Sequence, residues 1–246
     1  MNEIILIDKP SDMTSFGVVA RVRRKLSDQA TVTARATDLS HRRIKVKVGH
    51  SGTLDPFATG LLILLAGRAT KRADEFLKLD KSYEATLRFG FTSTTGDPEG
   101  EITPFPYAKL PTEAEIRAAL PNFTGKITQT PPAFSAIKIG GRRAYDLARA
   151  GQEFTIPSRQ VEIYSIDLLS TTPSDDPPPT TTEATTKTVA EARILVHCSS
   201  GTYIRTLAED LGKFLGSGAY LTALRRLTIG PYDIKDATSL DTFMAE

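Results

Sequence analysis

The strongest pattern in the chain is a turn-rich stretch at 49–60 followed at once by an unbroken apolar run at 61–66. Its glycines and an Asp-Pro pair predict a loop, because glycine adopts backbone angles that other residues avoid. The apolar run has the length of a strand, and its lack of polar positions predicts burial on both faces. Asp55 therefore lies on a loop attached directly to a core strand, where a rigid scaffold can hold a reactive group.

Alternation and apolar runs predict the other strands, and helical periodicity predicts the helices. The predicted strands lie at 1–8, 81–89, 161–169 and 192–198. The first predicted helix begins at Ser15. The other predicted helices cover 69–79, 112–120, 144–150, 203–215 and 218–226. The helix at 112–120 opens with a capping box, Thr-Glu-Ala-Glu. Strands and helices mix without regular alternation, which predicts an α+β fold.

Helical spacing also predicts which side chains face the core. In the first helix these are Val18, Val19, Val22 and Leu26. In the helix at 203–215 they are Tyr203, Leu207, Leu211 and Phe214.

Two stretches lack a core pattern. The stretch at about 27–47 has no clear periodicity and is rich in basic residues, so it is predicted to be an exposed basic loop or insertion. Such a block either contacts phosphates or forms a solvated loop. The stretch at about 170–190 is nearly all Thr, Pro, Ser, Asp and Glu, and is predicted to be a flexible excursion within a hairpin.

Composition limits the classes of protein further. The 246 residues are 40% hydrophobic and 24% charged, with a net charge of +2, as in an ordinary globular protein. The one cysteine, Cys198, excludes an internal disulfide, and the three histidines are too scattered for a metal site. No leader or membrane-spanning run is found, so we expect a cytoplasmic protein without metal or membrane association. We also expect a monomer.

Two residues of the central loop have competing interpretations. Asp55 alone is more typical of a turn aspartate that bonds its own backbone than of a catalytic group. His50 alone is more typical of a hydrogen-bonded structural histidine than of a catalyst.

Five motifs, in this order and spacing, resemble the TruB family of tRNA pseudouridine synthases. They are Asp-Lys-Pro-Ser-Asp-Met-Thr-Ser at 8–15, the stretch at 49–67, Lys-Ser-Tyr-Glu at 81–84, Thr-Pro-Pro-Ala-Phe-Ser-Ala-Ile-Lys at 130–138 continuing to Tyr145, and Ser-Gly-Thr-Tyr-Ile-Arg-Thr-Leu at 200–207 with the downstream Leu-Arg-Arg at 224–226. The resemblance implies the pseudouridine synthase fold, a mixed, mostly antiparallel central sheet flanked by helices and loops. It implies one catalytic domain over 1–246, and the chain is expected to lack the small C-terminal RNA-binding (PUA-like) domain of many relatives.

The activity implied by the resemblance is isomerisation of uridine 55 in the tRNA T-loop to pseudouridine. The partner is then tRNA, through its T-stem-loop, and neither a cofactor nor a protein partner is required. An alternative within the same resemblance is a tRNA-folding factor that binds the tRNA elbow, with catalysis secondary.

The resemblance also implies the roles of the site residues. Asp55 is the nucleophile, Tyr83 stacks on the uracil and assists removal of the C5 proton, and Arg205 pairs with Asp55. Arg205 falls in the first turn of its helix, where the dipole disfavours a cation, so a nearby anion is expected. For Tyr83 the alternative is a core tyrosine on an alternating strand.

Substrate contacts are implied for a second set of residues. His50 lies where the flipped base leaves its loop, and Asp97 and Leu224 lie beside the base. The candidates for phosphate contacts are Lys9, Arg142, Arg143, Arg225 and Arg226. The alternatives are a turn cap for Asp97, plain core for Leu224 and surface solubility for the five cations.

The chain departs from the family pattern at two loops. The family usually has glycine at the position of Asp12, so the first loop is expected to differ in shape. It usually has Thr-Asp-Thr where this chain has Ser-Thr-Thr at 93–95, which puts one contact at the pocket edge in question.

Overall fold

The computed structural model describes residues 2–36, 43–106, 108–174 and 188–245. Within them the strands are β1 (Asn2–Lys9), β2 (Val48–His50), β3 (Thr59–Gly67), β4 (Lys81–Phe89), β5 (Phe91–Ser93), β6 (Ile102–Pro104), β7 (Gly125–Gln129), β8 (Lys138–Ile139), β9 (Arg142–Arg143), β10 (Arg159–Pro173), β11 (Val189–Cys198), β12 (Ala219–Ile229), β13 (Tyr232–Asp233) and β14 (Thr238–Ser239). The α-helices are α1 (Ser15–Ala36), α2 (Ala73–Leu77), α3 (Glu113–Ala119), α4 (Ala144–Arg149), α5 (Ile204–Phe214) and α6 (Leu240–Ala245). Short 3-10 helices cover Arg68–Arg72, Leu120–Phe123 and Ile234–Asp236.

The chain forms two compact units, which we describe separately. The first unit contains Met1–Lys81 and Arg225–Glu246, and the second contains Ser82–Leu224. The expectation of one catalytic domain over 1–246 stays a prediction.

The first unit is built around β3, the predicted apolar strand. β1 runs antiparallel along one side of β3, with β14 parallel to β1 beyond it. On the other side of β3 lie β2, which is antiparallel, and the end of β12, which is parallel at Arg225 and Arg226. With neighbours on both sides, β3 is buried from Gly60 to Ala66. The sheet is therefore mixed and mostly antiparallel, as predicted.

The two faces of β3 pack into two different cores. Leu62 and Leu64 share a buried cluster with α1, whose four predicted core positions are all buried: Val18, Val19, Val22 and Leu26. Leu61, Ile63 and Leu65 pack on the other side against the residues Ala69, Phe76 and Ile229. Burial on both faces of this strand is confirmed, and it anchors the loop that carries Asp55.

The helix α1 is longer than the sequence predicted. Residues 27–36 continue the helix, so the prediction of a loop from 27 is wrong for this part, and 37–42 lie outside the described residues. The extension is stabilised by tertiary hydrogen bonds. The Ser27 hydroxyl accepts from the backbone N–H of Val46 at 3.0 Å, and the Thr31 hydroxyl accepts from that of Ile44 at 3.0 Å.

The second unit is built on a sheet in the order β12–β4–β11–β10–β7. β10 pairs antiparallel with β11 on one side and with β7 on the other. The predicted excursion at 170–190 joins β10 to β11; its ends continue these strands, and 175–187 lie outside the described residues. At α3 the capping box is present, with Thr112 and Glu115 bonding each other's backbone N–H.

Two predictions in this unit are wrong. Residues 219–226, predicted to be helical, belong to β12, in which the Thr222 hydroxyl donates to the Thr86 carbonyl of β4 at 3.4 Å. Sheet pairing overrides the helix propensity of this segment. Phe214, predicted to face the core, is 59% exposed and meets Phe123 edge to face at 5.7 Å.

The predicted helix at 69–79 is a 3-10 turn followed by the short α2, which ends at Leu77. None of the helices in the described residues combines the length and hydrophobicity needed to cross a bilayer.

Candidate active site

The loop that carries Asp55 is fixed through its backbone immediately before the aspartate. The Ser15 hydroxyl accepts from the N–H of Leu54 at 2.8 Å and donates to the Leu54 carbonyl at 2.9 Å. Ser15 is the first residue of α1, so the helix start and the loop are tied together. Leu54 is buried and Asp55 is half-buried, so the carboxylate lies at the edge of the core.

The same loop is fixed immediately after the aspartate by Lys9. The Lys9 ammonium donates to the carbonyls of Pro10, Met13 and Pro56, at 2.8, 2.6 and 3.0 Å. Its side chain is fully buried. Three acceptors match the three donors of an ammonium group. The prediction that Lys9 contacts a phosphate is therefore wrong, because the group is buried and its donors are occupied by the loop.

Arg226 has a similar structural role. It is 1% exposed, and its guanidinium donates to the carbonyls of Leu61 at 2.8 Å and Gly52 at 3.2 Å. It thus ties the start of the loop to β3. The prediction of a phosphate contact for Arg226 is wrong for the same reason as for Lys9.

The entry of the loop into β3 requires glycine at position 60. Gly60 has a φ of +102°, and a Cβ there would lie 2.3 Å from the carbonyl oxygen of Arg226. Real Cβ atoms do not approach backbone that closely, so β12 and β3 can pair here only with glycine.

Arg225 pairs with Asp8 through two hydrogen bonds, of 3.1 and 2.7 Å, and its side chain remains 40% exposed. Its predicted phosphate contact stays a prediction.

The loop that contains Asp12 departs from the family pattern, which usually has glycine at this position. Asp12 adopts a φ of +60°, a conformation that glycine adopts without strain. Aspartate is one of the few other residues that tolerate this conformation.

Arg205 is buried at the start of α5, and its guanidinium donates to Asp97, Thr95 and Phe134. One guanidinium nitrogen donates to an Asp97 carboxylate oxygen at 3.0 Å and to the Thr95 carbonyl at 2.9 Å. The second terminal nitrogen donates to the Phe134 carbonyl at 2.8 Å. The side chains of Arg205 and Asp97 are 4% and 2% exposed. The expectation of an anion beside Arg205 is confirmed in Asp97, and pairing of Arg205 with Asp55 stays a prediction.

Asp97 is also a turn cap, as its alternative interpretation held. Its second carboxylate oxygen accepts from the Thr95 hydroxyl at 2.5 Å and from the N–H of Glu99 at 3.0 Å. Ser93 donates to the Asp97 carbonyl at 2.6 Å. The unusual Ser-Thr-Thr at 93–95 therefore builds the turn that orients Asp97 toward Arg205.

The start of α5 is positioned by residues that the sequence did not identify. Gln129, 1% exposed, accepts from the N–H of Tyr203 at 3.0 Å and donates to the Tyr203 carbonyl at 3.2 Å. Tyr203 is half-buried, and the guanidinium of Arg159 lies 4.9 Å from the centre of its ring. Nothing in the pattern around Gln129 marks this role.

Glu209 lies one turn after Arg205 on α5. Burial raises the pKa of Glu209; Lys213 and Arg205 oppose the rise, and Asp210 and Asp97 add to it. A Cβ on Gly96, whose φ is +73°, would lie 2.4 Å from a Glu209 carboxylate oxygen. Glu209 follows Arg205 by four residues, and residues four apart on a helix are neighbours on its surface, so the sequence could have identified this residue.

The remaining predicted residues lie on strands or at strand ends. Tyr83 is 9% exposed on the alternating strand β4, and Leu224 is 8% exposed on β12. His50 is half-buried at the end of β2. Arg142 and Arg143 are exposed on β9, where Arg142 donates to the side chain of Gln152 at 3.0 Å.

The first unit thus presents a carboxylate on a rigid loop, and the second a buried arginine with a fixed orientation. The described residues bring together no group of three His, Cys, Asp or Glu side chains that could hold a metal ion. The groups present are suited to nucleophilic and electrostatic chemistry.

Comparison with solved structures identifies the class of fold. A protein from the crystal structure of a Cbf5–Nop10–Gar1 complex matches with a TM-score of 0.63 at 25% identity, over 98% of this chain and 53% of that one. A second, from the archaeal box H/ACA sRNP Nop10–Cbf5 complex, matches with a TM-score of 0.60 at 24% identity, over 98% of this chain and 52% of that one. The chain spans about half the length of these two proteins. The fold is the α+β fold of the pseudouridine synthases.

Sequence comparison identifies the family. Residues 40–204 match the family model of the TruB family pseudouridylate synthase N-terminal domain, and 205–246 match that of the tRNA pseudouridylate synthase B C-terminal domain. The chain is 39% identical over 242 residues to tRNA pseudouridine synthase B of Corynebacterium jeikeium, over 97% of this chain and 70% of the relative. It is 40% identical to that of Bordetella avium, over 100% and 88%. The chain belongs to the TruB family of pseudouridylate synthases.

Proposed function

We propose that the protein converts uridine 55 in the T-loop of tRNA to pseudouridine, with Asp55 as the nucleophile. The observation that carries this proposal is the Asp55 loop, whose backbone is held on both sides of the aspartate in a chain of the TruB family. A catalytic carboxylate must be held in place for attack, and these contacts supply that rigidity. The tRNA substrate follows from the names of the relatives.

The reaction is an isomerisation in which atoms balance without a co-reactant. The bond between the sugar C1′ and the base N1 breaks, the uracil turns, and a bond forms between C1′ and C5. The proton of C5 is lost and N1 gains one. Asp55 assists by forming a transient covalent bond, either at C1′ or at C6 of the ring.

Arg205 is proposed to pair with Asp55 and keep it ionised, since an opposite charge favours the charged form of a carboxylate. Its support is its fixed orientation beside Asp97, which leaves the guanidinium little freedom to rotate. Tyr83 is proposed to stack on the flipped uracil and to assist loss of the C5 proton.

Binding of the RNA is proposed to involve a second group of residues. A uridine in a folded loop must be turned out before it reacts, and His50 is proposed to occupy the place that it leaves. Leu224 and Asp97 are proposed to lie beside the base. The exposed Arg142 and Arg143 are proposed phosphate contacts, and Arg225 is a further one.

The experiment is release of tritium from a tRNA transcript labelled at C5 of its uridines, without added cofactor. We expect release of about one tritium per tRNA by the parent protein, because one C5–H bond breaks per isomerised base. Asp55→Asn is expected to abolish release while tRNA binding remains, because an amide is not a competent nucleophile. The matched control is Asp236→Asn, which removes the same charge from an exposed residue of the same unit and is expected to release tritium normally.

Release by Asp55→Asn would remove this residue from the mechanism. Binding without release by the parent protein would instead favour the folding-factor alternative. We further propose that the protein acts as a monomer in the cytoplasm. Sedimentation of the protein alone and with tRNA tests its oligomeric state.

A further inference from the structure

We propose that a basic pocket formed by Lys45, Lys47 and Arg68 binds backbone phosphates of the RNA substrate. The pocket lies outside the loop that carries Asp55. The inference rests on the proposed function, because it takes the tRNA as the occupant.

The segment that carries the two lysines is held in place by backbone hydrogen bonds. The hydroxyls of Ser27 and Thr31 accept from the N–H groups of Val46 and Ile44, and the Lys47 carbonyl accepts from the N–H of Gly67 at 2.8 Å. The backbone on either side of both lysines is therefore fixed against α1 and against the end of β3.

Alternation along this segment places the cations on one side. Val46 and Val48 are buried, whereas Lys45 and Lys47 are exposed. Residues two apart in an extended segment lie about 7 Å apart on the same face. The two ammonium groups therefore project together from a fixed backbone.

Arg68 joins the lysines from the end of β3. The pocket has a volume of about 460 Å³ and is lined by these three cations together with Asn2, Val46 and Gly67. The side-chain oxygen of Asn2 accepts from the N–H of Arg68 at 2.9 Å, which leaves its amide NH2 as a further donor. The polar side chains of the pocket therefore present hydrogen-bond donors.

No acidic partner for the three cations is found in the described residues, in contrast to other cations nearby. Arg43 pairs with Asp28 at 2.9 Å, and Arg72 pairs with Glu75 at 2.8 Å. Glu3 follows Asn2, which lines the pocket, on the strand β1. Because successive strand residues point to opposite faces, the Glu3 carboxylate and the Asn2 side chain point in different directions. The pocket is therefore a site of concentrated positive charge.

Clustered cations without an acidic partner repel one another, and an anion relieves that repulsion. The backbone of RNA supplies consecutive phosphates, and each phosphate contact by Lys or Arg releases condensed counterions. Such contacts position an RNA without reading its sequence. The occupant that fits the pocket is thus a stretch of tRNA backbone.

The test is the salt dependence of binding to unmodified tRNA. We measure the affinity between 50 and 200 mM KCl for the parent protein and for the triple variant Lys45→Gln, Lys47→Gln, Arg68→Gln. The slope of log K against log salt is expected to fall in magnitude by about 2 to 3, since each contact to a duplex phosphate contributes about 0.9. The control Lys109→Gln, Arg117→Gln, Lys235→Gln removes the same charge from exposed cations that already pair with acidic residues, and is expected to keep the parent slope.

An unchanged slope in the triple variant, or an equal fall in the control, would overturn the proposal. Protection of the three cations from chemical modification by inorganic phosphate, with no protection by tRNA, would also overturn it, because the pocket would then bind only a free anion. The proposed reaction fails separately. A parent protein that binds tRNA with the expected slopes but releases no tritium contradicts the isomerase and leaves the basic pocket in place.

Discussion

Two of the candidate catalytic side chains, Asp55 and Arg205, are held in opposite ways. In the first unit the Asp55 loop is fixed through backbone atoms, by Ser15, Lys9 and Arg226. In the second unit Arg205 is fixed through its side chain, by Asp97 and two carbonyl groups. A loop held by its backbone tolerates a changed side chain, whereas a buried charge held by another charge does not.

The largest effect is expected from a variant that removes the buried ion pair of the second unit. Arg205→Met is expected to lower the free energy of unfolding by about 3–5 kcal/mol, because it leaves Asp97 buried without its cation. Asp55→Asn is expected to lower it by about 1 kcal/mol or less, as is usual for partly exposed sites. Chemical denaturation of both variants measures the difference.

The control for this prediction is the double variant Arg205→Met, Asp97→Asn. Because it removes the stranded charge as well, it is expected to recover part of the lost stability. Losses that simply add would show that the two side chains are not coupled.

A smaller effect is expected from one glycine in each region. Gly60→Ala is expected to cost about 3 kcal/mol, since it combines a strained φ with a clash against the backbone of Arg226. Gly96→Ala is expected to cost about 1–2 kcal/mol, because its clash is with the end of the Glu209 side chain, which can rotate away. Thermal unfolding measures the stability of the two variants. Equal losses of stability would mean that the backbone of β12 shifts to relieve the clash as readily as the Glu209 side chain rotates.

The smallest effect concerns pH. Burial raises the pKa of Glu209, so the folded protein holds this proton more tightly than the unfolded chain, and stability falls as pH rises from about 4.5 through the raised pKa. Glu209→Gln is therefore expected to be more stable than the parent at neutral pH and to lose that advantage below about pH 4.5. Unfolding measured across this pH range tests the sign.

Glu113→Gln is the counterpart with the opposite sign. The hydrogen bond from Arg117 lowers the pKa of Glu113, so its contribution is present at neutral pH and is lost as pH falls through the lowered pKa. This variant is expected to be less stable than the parent at neutral pH. If both variants were more stable than the parent at neutral pH, or both less stable, the assigned causes of the two pKa shifts would be contradicted.

Local patterns were sufficient wherever a segment's own residues decide its structure. The apolar run of β3, the alternation of β4 and the capping box of α3 were all predicted from sequence. The extension of α1 could not be predicted, because it depends on hydrogen bonds from residues 44 and 46 to Ser27 and Thr31. β12 was predicted as a helix because its pairing partners are distant in sequence.

The candidate site shows the same limit. Asp55 and Arg205 were marked by motifs, and Asp97 by the resemblance to the family, with a turn cap as its alternative. Lys9 and Arg226 were misassigned because the charge of a side chain does not reveal that it is buried and bonded to carbonyls. Gln129 was missed because its bonds to Tyr203 join positions far apart in the chain.

The burial of Lys9 has a consequence for chemical labelling. Amine-reactive reagents need a deprotonated, accessible amine, and this one is enclosed by the carbonyls of Pro10, Met13 and Pro56. Acylation of Lys9 therefore requires the loop to open first. The rate of labelling at this single residue is therefore a direct measure of how often the loop that carries Asp55 opens.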